Sequence, residues 1–175
     1  MEDEPWKDLD AYMEKPYWVV DILPKQVPEN SRGQYFKIAD YYLCHPQVDA
    51  IYKKFSDIFL KLNCYDDMVV SQDGENWIVN PAPRDLVAMT VNTMHPNRML
   101  YAALKSSGTL LVVAGDDIYF TVYNPTAEIL ELLGSLASAE GLFLWKPRQN
   151  ILPSHKLYPS KPRGRTTQDP ERVSA

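Results

Sequence analysis

Two stretches of this chain share one design: a β-rich pair closed by a turn and running straight into Asn-Pro. The first reads Met68-Val69-Val70-Ser71-Gln72, Asp73-Gly74, Asn76-Trp77-Ile78-Val79, then Asn80-Pro81. The second reads Thr109-Leu110-Leu111-Val112-Val113, Gly115-Asp116, Ile118-Tyr119-Phe120-Thr121-Val122-Tyr123, then Asn124-Pro125. β-Branched and aromatic runs flanking a Gly/Asp turn predict hairpins, and hairpins make antiparallel pairs. Asn followed by Pro predicts a helix start directly after each hairpin. The valine pairs lie 43 positions apart and the Asn-Pro pairs 44 apart. One extra residue in the second hairpin therefore reconciles the two units as an internal duplication. Capping chemistry alone also produces such joints, and under either origin the two should share one geometry.

The segments between these hairpins carry helical spacing. Val48, Ile51, Phe55, Ile58, Phe59 and Leu62 form one stripe, with Asp49, Lys53, Lys54, Asp57 and Lys61 opposite. Ser31-Arg32-Gly33-Gln34 has capping-box form and predicts a preceding helix with Tyr35, Phe36, Ala39, Tyr42 and Leu43 inward. Leu86, Val87, Val91 and Met94 predict a helix ending at His95-Pro96. Met99, Leu100, Ala103 and Leu104 predict another over 97–106, with Gly108 beyond its end. Ile129, Leu130, Leu133, Leu136 and Ala137 predict a helix stopping at Gly141, before a short strand at Leu142-Phe143-Leu144-Trp145. Near the start, Trp6, Leu9 and Met13 predict a short helix over 5–14. Tyr17 to Leu23 reads as a strand whose Asp21 should face solvent at its end. The expected fold is α+β: a mostly antiparallel sheet built from hairpins, with helices packed on one face.

A chain of 175 residues fits one domain plus a tail. Charge divides it unevenly. Residues 146–175 hold seven of the 18 Lys/Arg and two of the 23 Asp/Glu, a balance of +5, which leaves −10 over residues 1–145. Five prolines also fall in 146–175. Such a segment offers little apolar surface to offset the entropy of ordering. Residues 1–145 are therefore read as a single globular domain. Residues 146–175 are read as a basic, Pro-rich flexible tail whose only anchors are Ile151, Leu152, Leu157 and Tyr158. Two cysteines, Cys44 and Cys64, and an acidic start without an apolar leader predict reduced thiols and a cytoplasmic location. No apolar run reaches the ~18 residues of a membrane helix.

Chemistry-bearing patterns are sparse. Neither Cys-x-x-Cys nor His-Glu-x-x-His occurs, so no metal site is expected, and no Gly-rich phosphate loop or other cofactor signature is present. The carboxylate pairs Asp66-Asp67 and Asp116-Asp117, with His95, are the candidate catalytic residues. Paired acids can divide acid and base roles, although turn chemistry also favours Asp at such positions. Trp6, Tyr12, Tyr17 and Trp18 cluster near the start among acids and are the candidate partner-binding residues. The expected function is a small non-catalytic protein-binding module, of adaptor, inhibitor or immunity type, whose acidic body meets a partner with a basic surface. The alternatives are an enzyme with a carboxylate site, or nucleic-acid contact through the basic tail, since the acidic body lacks the clustered cations phosphate requires.

Overall fold

A computed structural model describes residues 4–28 and 34–148. A 3-10 turn at Pro5–Lys7 leads to α1 (Leu9–Tyr12), β1 (Tyr17–Asp21), α2 (Gln34–Tyr42), α3 (Gln47–Leu62), β2 (Met68–Ser71) and β3 (Ile78–Val79). Then follow α4 (Pro83–Asn92), β4 (Met99–Leu104), β5 (Thr109–Ala114), β6 (Tyr119–Tyr123), α5 (Ala127–Ala139) and β7 (Phe143–Trp145). The seven strands form one sheet in the order β3-β2-β4-β5-β6-β1-β7, and every neighbouring pair is antiparallel. The fold is α+β, built around the meander β4-β5-β6. No helix among the described residues is long and apolar enough to cross a membrane.

Strand period two sorts the side chains into two cores. On one face Met68, Val70, Leu100, Ala102, Leu104, Leu111, Val113, Phe120 and Val122 pack with side chains of α2 to α5. The α3 stripe enters this core as expected: Phe55 and Phe59 are fully buried. Both rings meet Phe120 edge-on, with centroids 5.0 and 5.2 Å away. The outer side of α3 carries a Lys53–Asp57 pair one turn apart. On the other face Val69, Ala103, Leu110, Val112 and Tyr123 pack with Trp6 and Tyr12. The N-terminal turns thus cover the face that the longer helices leave open. They form no continuous helix over 5–14. Asp8 breaks the run and caps α1 by accepting from the Ala11 amide.

Residues 97–106 depart from the helix expected there. Their core is β4, paired along its whole length with β5 and, over four positions, with β2. Met99, Leu100, Ala103 and Leu104 fit a helical stripe, and Leu and Ala favour helices. The same run also alternates: Leu100, Ala102 and Leu104 enter the first core, while Ala103 enters the second, flanked by Met99 and Tyr101. A strand buried on both faces shows no polar alternation, so tertiary pairing overrides the weak local preference. Asp21 is a second correction. It lies at the strand end but is fully buried, and its Oδ1 accepts from the Leu23 amide at 3.1 Å. The strand is flanked on both sides, by Tyr119 of β6 and Phe143 of β7, which removes the solvent-facing edge. Ser31 of the capping box lies outside the described residues.

Both Asn-Pro joints share an unusual backbone. Asn80 and Asn124 have φ of 44° and 52°, the left-handed region that Asn tolerates better than most residues. They end the hairpins rather than cap the helices. The caps are Ala82, and Thr126, whose hydroxyl accepts from the Ile129 amide. The common geometry does not extend upstream. Two helices precede the first hairpin, whereas α4 and a strand precede the second, so internal duplication is not established.

The β2–β3 turn spans six residues organised by Asp73. Its carboxylate accepts from the Glu75 and Asn76 amides, the Asn76 side chain and the Ser71 hydroxyl. These bonds, the Asn76 side chain foremost, hold its carboxyl well below the usual carboxylate range. A depressed folded-state value stabilises the fold above the unfolded value of about 3.9, and that contribution is lost as pH falls through the folded one. The stability difference between the native chain and Asp73→Ala, measured by urea unfolding, should be constant above about pH 5 and shrink steadily below about pH 4. Phe55→Ala should cost ~3–5 kcal/mol in the same assay, through lost transfer energy and the cavity left between α3 and β6.

Candidate functional site

One end of the sheet gathers the start of β2, the β4–β5 turn and the start of α5. The turn is held from two sides. Asp66 accepts from the Ser106 and Ser107 amides at 2.9 and 3.1 Å, and the Asp67 carbonyl accepts from the Lys105 amide at 2.8 Å. From the other face of the sheet, the Tyr12 hydroxyl donates to the Gly108 carbonyl and accepts from the Asn124 side chain. Gly108 has φ of +65°, where a side chain would be strained. Between this turn and α5 lies a cleft of about 660 Å³.

Three carboxylates reach the cleft: Asp66 from one wall, Glu128 and Glu131 from the first turns of α5. No Lys or Arg lines it among the described residues. Asp66 is occupied by two amides. Glu128 sits where the positive end of the α5 dipole favours a carboxylate. Both glutamates are solvent-exposed. Ile129 and Leu132 add apolar surface, and Tyr65 stands at the rim, 70% exposed. Acidic walls, apolar patches and an accessible aromatic ring can hold a cationic chain with aliphatic stems.

The sequence-derived candidates do not converge. Asp66 and Asp67 lie at this end of β4 and β5. Asp116 and Asp117 follow β5 at the other end, roughly 20 Å away at ~3.4 Å per residue. His95 is exposed at that second end, where its backbone carbonyl presses on Gly115. A Cβ on Gly115 would come within 2.0 Å of that oxygen. Asp67 is tied to the Asn80 side chain at 2.9 Å. The Asp117 carbonyl accepts from the buried Tyr52 hydroxyl, which also donates to Ala114. Burial, with the nearby Asp117 and Asp116 charges adding to it, pushes the Tyr52 phenol far above its usual range. Asp66 and Asp67 thus hold turns with their carboxylates, whereas Asp117 contributes its backbone carbonyl. No cluster of three His, Cys, Asp or Glu suited to a metal ion occurs among the described residues.

Three of the four aromatic candidates meet at the second core. Trp6 and Tyr12 are buried, at 4% and 2% exposure, in the second core, and half-buried Tyr17 packs on that core and on Tyr123. Trp18 is half-buried against the first core, with the Lys146 ammonium 4.7 Å from its ring. The cleft residues Tyr65, Glu128 and Glu131 were not singled out by sequence. Their separations along the chain carry no motif, and only the sheet end brings them together.

No protein-family model, no curated protein and no solved structure matches this chain. Asp66→Ala should lower stability by about 1–2 kcal/mol in urea unfolding, because two turn amides lose a charged acceptor. Faster amide exchange should be confined to Ser106 and Ser107 and their neighbours.

Proposed function

We propose that this chain is a non-catalytic protein-binding module whose acidic cleft receives a basic segment of a partner. The observation that carries this reading is a cleft of about 660 Å³ lined by three carboxylates and, among the described residues, no cation, with Tyr65 exposed at its rim. The −10 balance of residues 1–145 supplies the long-range field that would steer a basic partner toward it. Tyr65 takes the anchor role, since Trp6 and Tyr12 are buried within the protein's own second core. The separation of the two carboxylate pairs weighs against the enzymatic alternative, because Asp66 and Asp67 cannot act on the same bond as Asp116 and Asp117.

The test is a titration of the 15N-labelled full chain with a synthetic peptide of four Lys/Arg and one Leu. Amide shifts should map to Tyr65, Ser106, Ser107 and Glu131. Raising ionic strength toward 0.15 M, where the screening length falls to about 8 Å, should weaken the response. Combined Glu128→Lys and Glu131→Lys substitutions should reduce affinity at least ~10-fold, and Tyr65→Ala should reduce it further. Shifts centred elsewhere, or affinity unchanged by charge reversal, would overturn the proposal.

A further inference from the structure

We infer that residues 156–165 of the same chain occupy the acidic cleft and that a partner must displace them. This inference rests on the cleft being a binding site for basic segments. Charge complementarity is its first ground. Residues 156–165 contain Lys156, Lys161, Arg163 and Arg165 and no carboxylate, beside Leu157 and Tyr158. The cleft offers Glu128 and Glu131 for the cations and Ile129 and Leu132 for the apolar pair.

Where the described chain ends is the second ground. β7 runs antiparallel to β1, with Trp145 opposite Val19, so it leaves the sheet toward Tyr17. Tyr17 pairs with Tyr123, and the Pro16 carbonyl accepts from the Asn124 amide just before α5 begins. Chain exit and cleft therefore share one end of the sheet. Lys146 rests on Trp18, and the Arg148 amide donates to the Gln26 side chain at 3.2 Å, which fixes the departure point. β7 stands three strands from β5 and four from β4, whose turn walls the cleft, roughly 14–19 Å at the usual strand spacing. The eight residue-to-residue steps from Arg148 to Lys156 span up to ~27 Å when extended. The cleft is thus within reach from the first cation of the segment onward.

Tethering supplies the third ground. A short tether holds its segment at an effective concentration near millimolar, so contacts too weak to persist between separate molecules suffice within one. A basic partner would then compete with an occupant of its own charge type. Its apparent affinity would fall by the fraction of time the cleft is filled.

Cys64 precedes Tyr65 at the cleft rim and is free and exposed, as is Cys44. The experiment attaches a nitroxide to Cys64 in the full chain carrying Cys44→Ser and reads amide broadening by NMR. At low salt, residues 156–165 should broaden at least ~2-fold more than residues 168–175, and 0.5 M salt should remove the difference. Glu128→Lys with Glu131→Lys should remove it too, as should neutralising all four tail cations with Lys156→Gln, Lys161→Gln, Arg163→Gln and Arg165→Gln. Uniform broadening along the tail, or selective broadening that survives these substitutions, would overturn the inference. So would broadening seen only between a spin-labelled unenriched chain and a separate 15N chain, which would make a second copy the occupant. The four-Lys/Arg peptide, added to the neutralised full chain, separates the two readings. If it binds the cleft while the native tail does not, only the intramolecular occupant fails. If neither binds, the cleft reading fails as well.

Discussion

Leu110, Leu111, Val112 and Val113 leave neither face of β5 to water, and that condition propagates through the whole molecule. A sheet wet on one side needs one layer of helices; this one needs two covers. The long helices supply the first. The second comes from a few residues at the start of the chain, Trp6, Leu9, Tyr12 and Met13, laid over Val69, Ala103, Leu110 and Val112. Four helical residues in α1 cannot be stable alone, since nucleation costs more than so short a segment returns. They are held by the apolar surface beneath them and by the Tyr12 hydroxyl, which bonds to Gly108 and Asn124. Gly74 completes the cover. A Cβ there would lie 2.7 Å from Leu9, so the β2–β3 turn closes directly onto α1.

This double cover explains which parts of the fold were legible in the sequence. The α3 stripe was readable because one face of the helix meets the core and the other meets water, the condition under which a 3.6-residue period appears. The hairpins were readable from turn residues and β-branched runs. β4 was not, because burial on both faces erases the alternation that marks a strand, and what remained in Met99-Leu100-Tyr101-Ala102-Ala103-Leu104 was spacing that a helix also satisfies. Asp21 was misread for a related reason. A charged residue at the end of an apolar run suggests an exit to solvent, but β7, supplied by the far end of the chain, covers that exit.

The candidate site was less legible than the fold. Of the acids singled out, only Asp66 lines the cleft, and it does so while holding the Ser106-Ser107 turn. Glu128 and Glu131 carry no local signature beyond their place in the first turns of a helix, and Tyr65 follows α3 without any pattern around it. Sites assembled from three chain segments meet only through topology. Here the joining fact is that β2 begins, β4 turns and α5 starts at one sheet end, and it depends on β4 being the strand that joins β2 to the meander.

The same topology distributes charge. At the second end of the sheet the Asp117 backbone carbonyl accepts from Tyr52, and Gly115 is pressed against the α4–β4 loop too closely for any side chain. That end is locked by backbone packing. The first end is held by side-chain caps, Asp66 on two amides, Asp67 on Asn80 and Thr126 on Ile129, and leaves open space between them. The first end also carries Arg148, beyond which the sequence turns basic. The acidic cleft and Arg148 thus sit at one end of the sheet, and the proposed internal competition follows from the opposite charges that the sequence places on either side of that point.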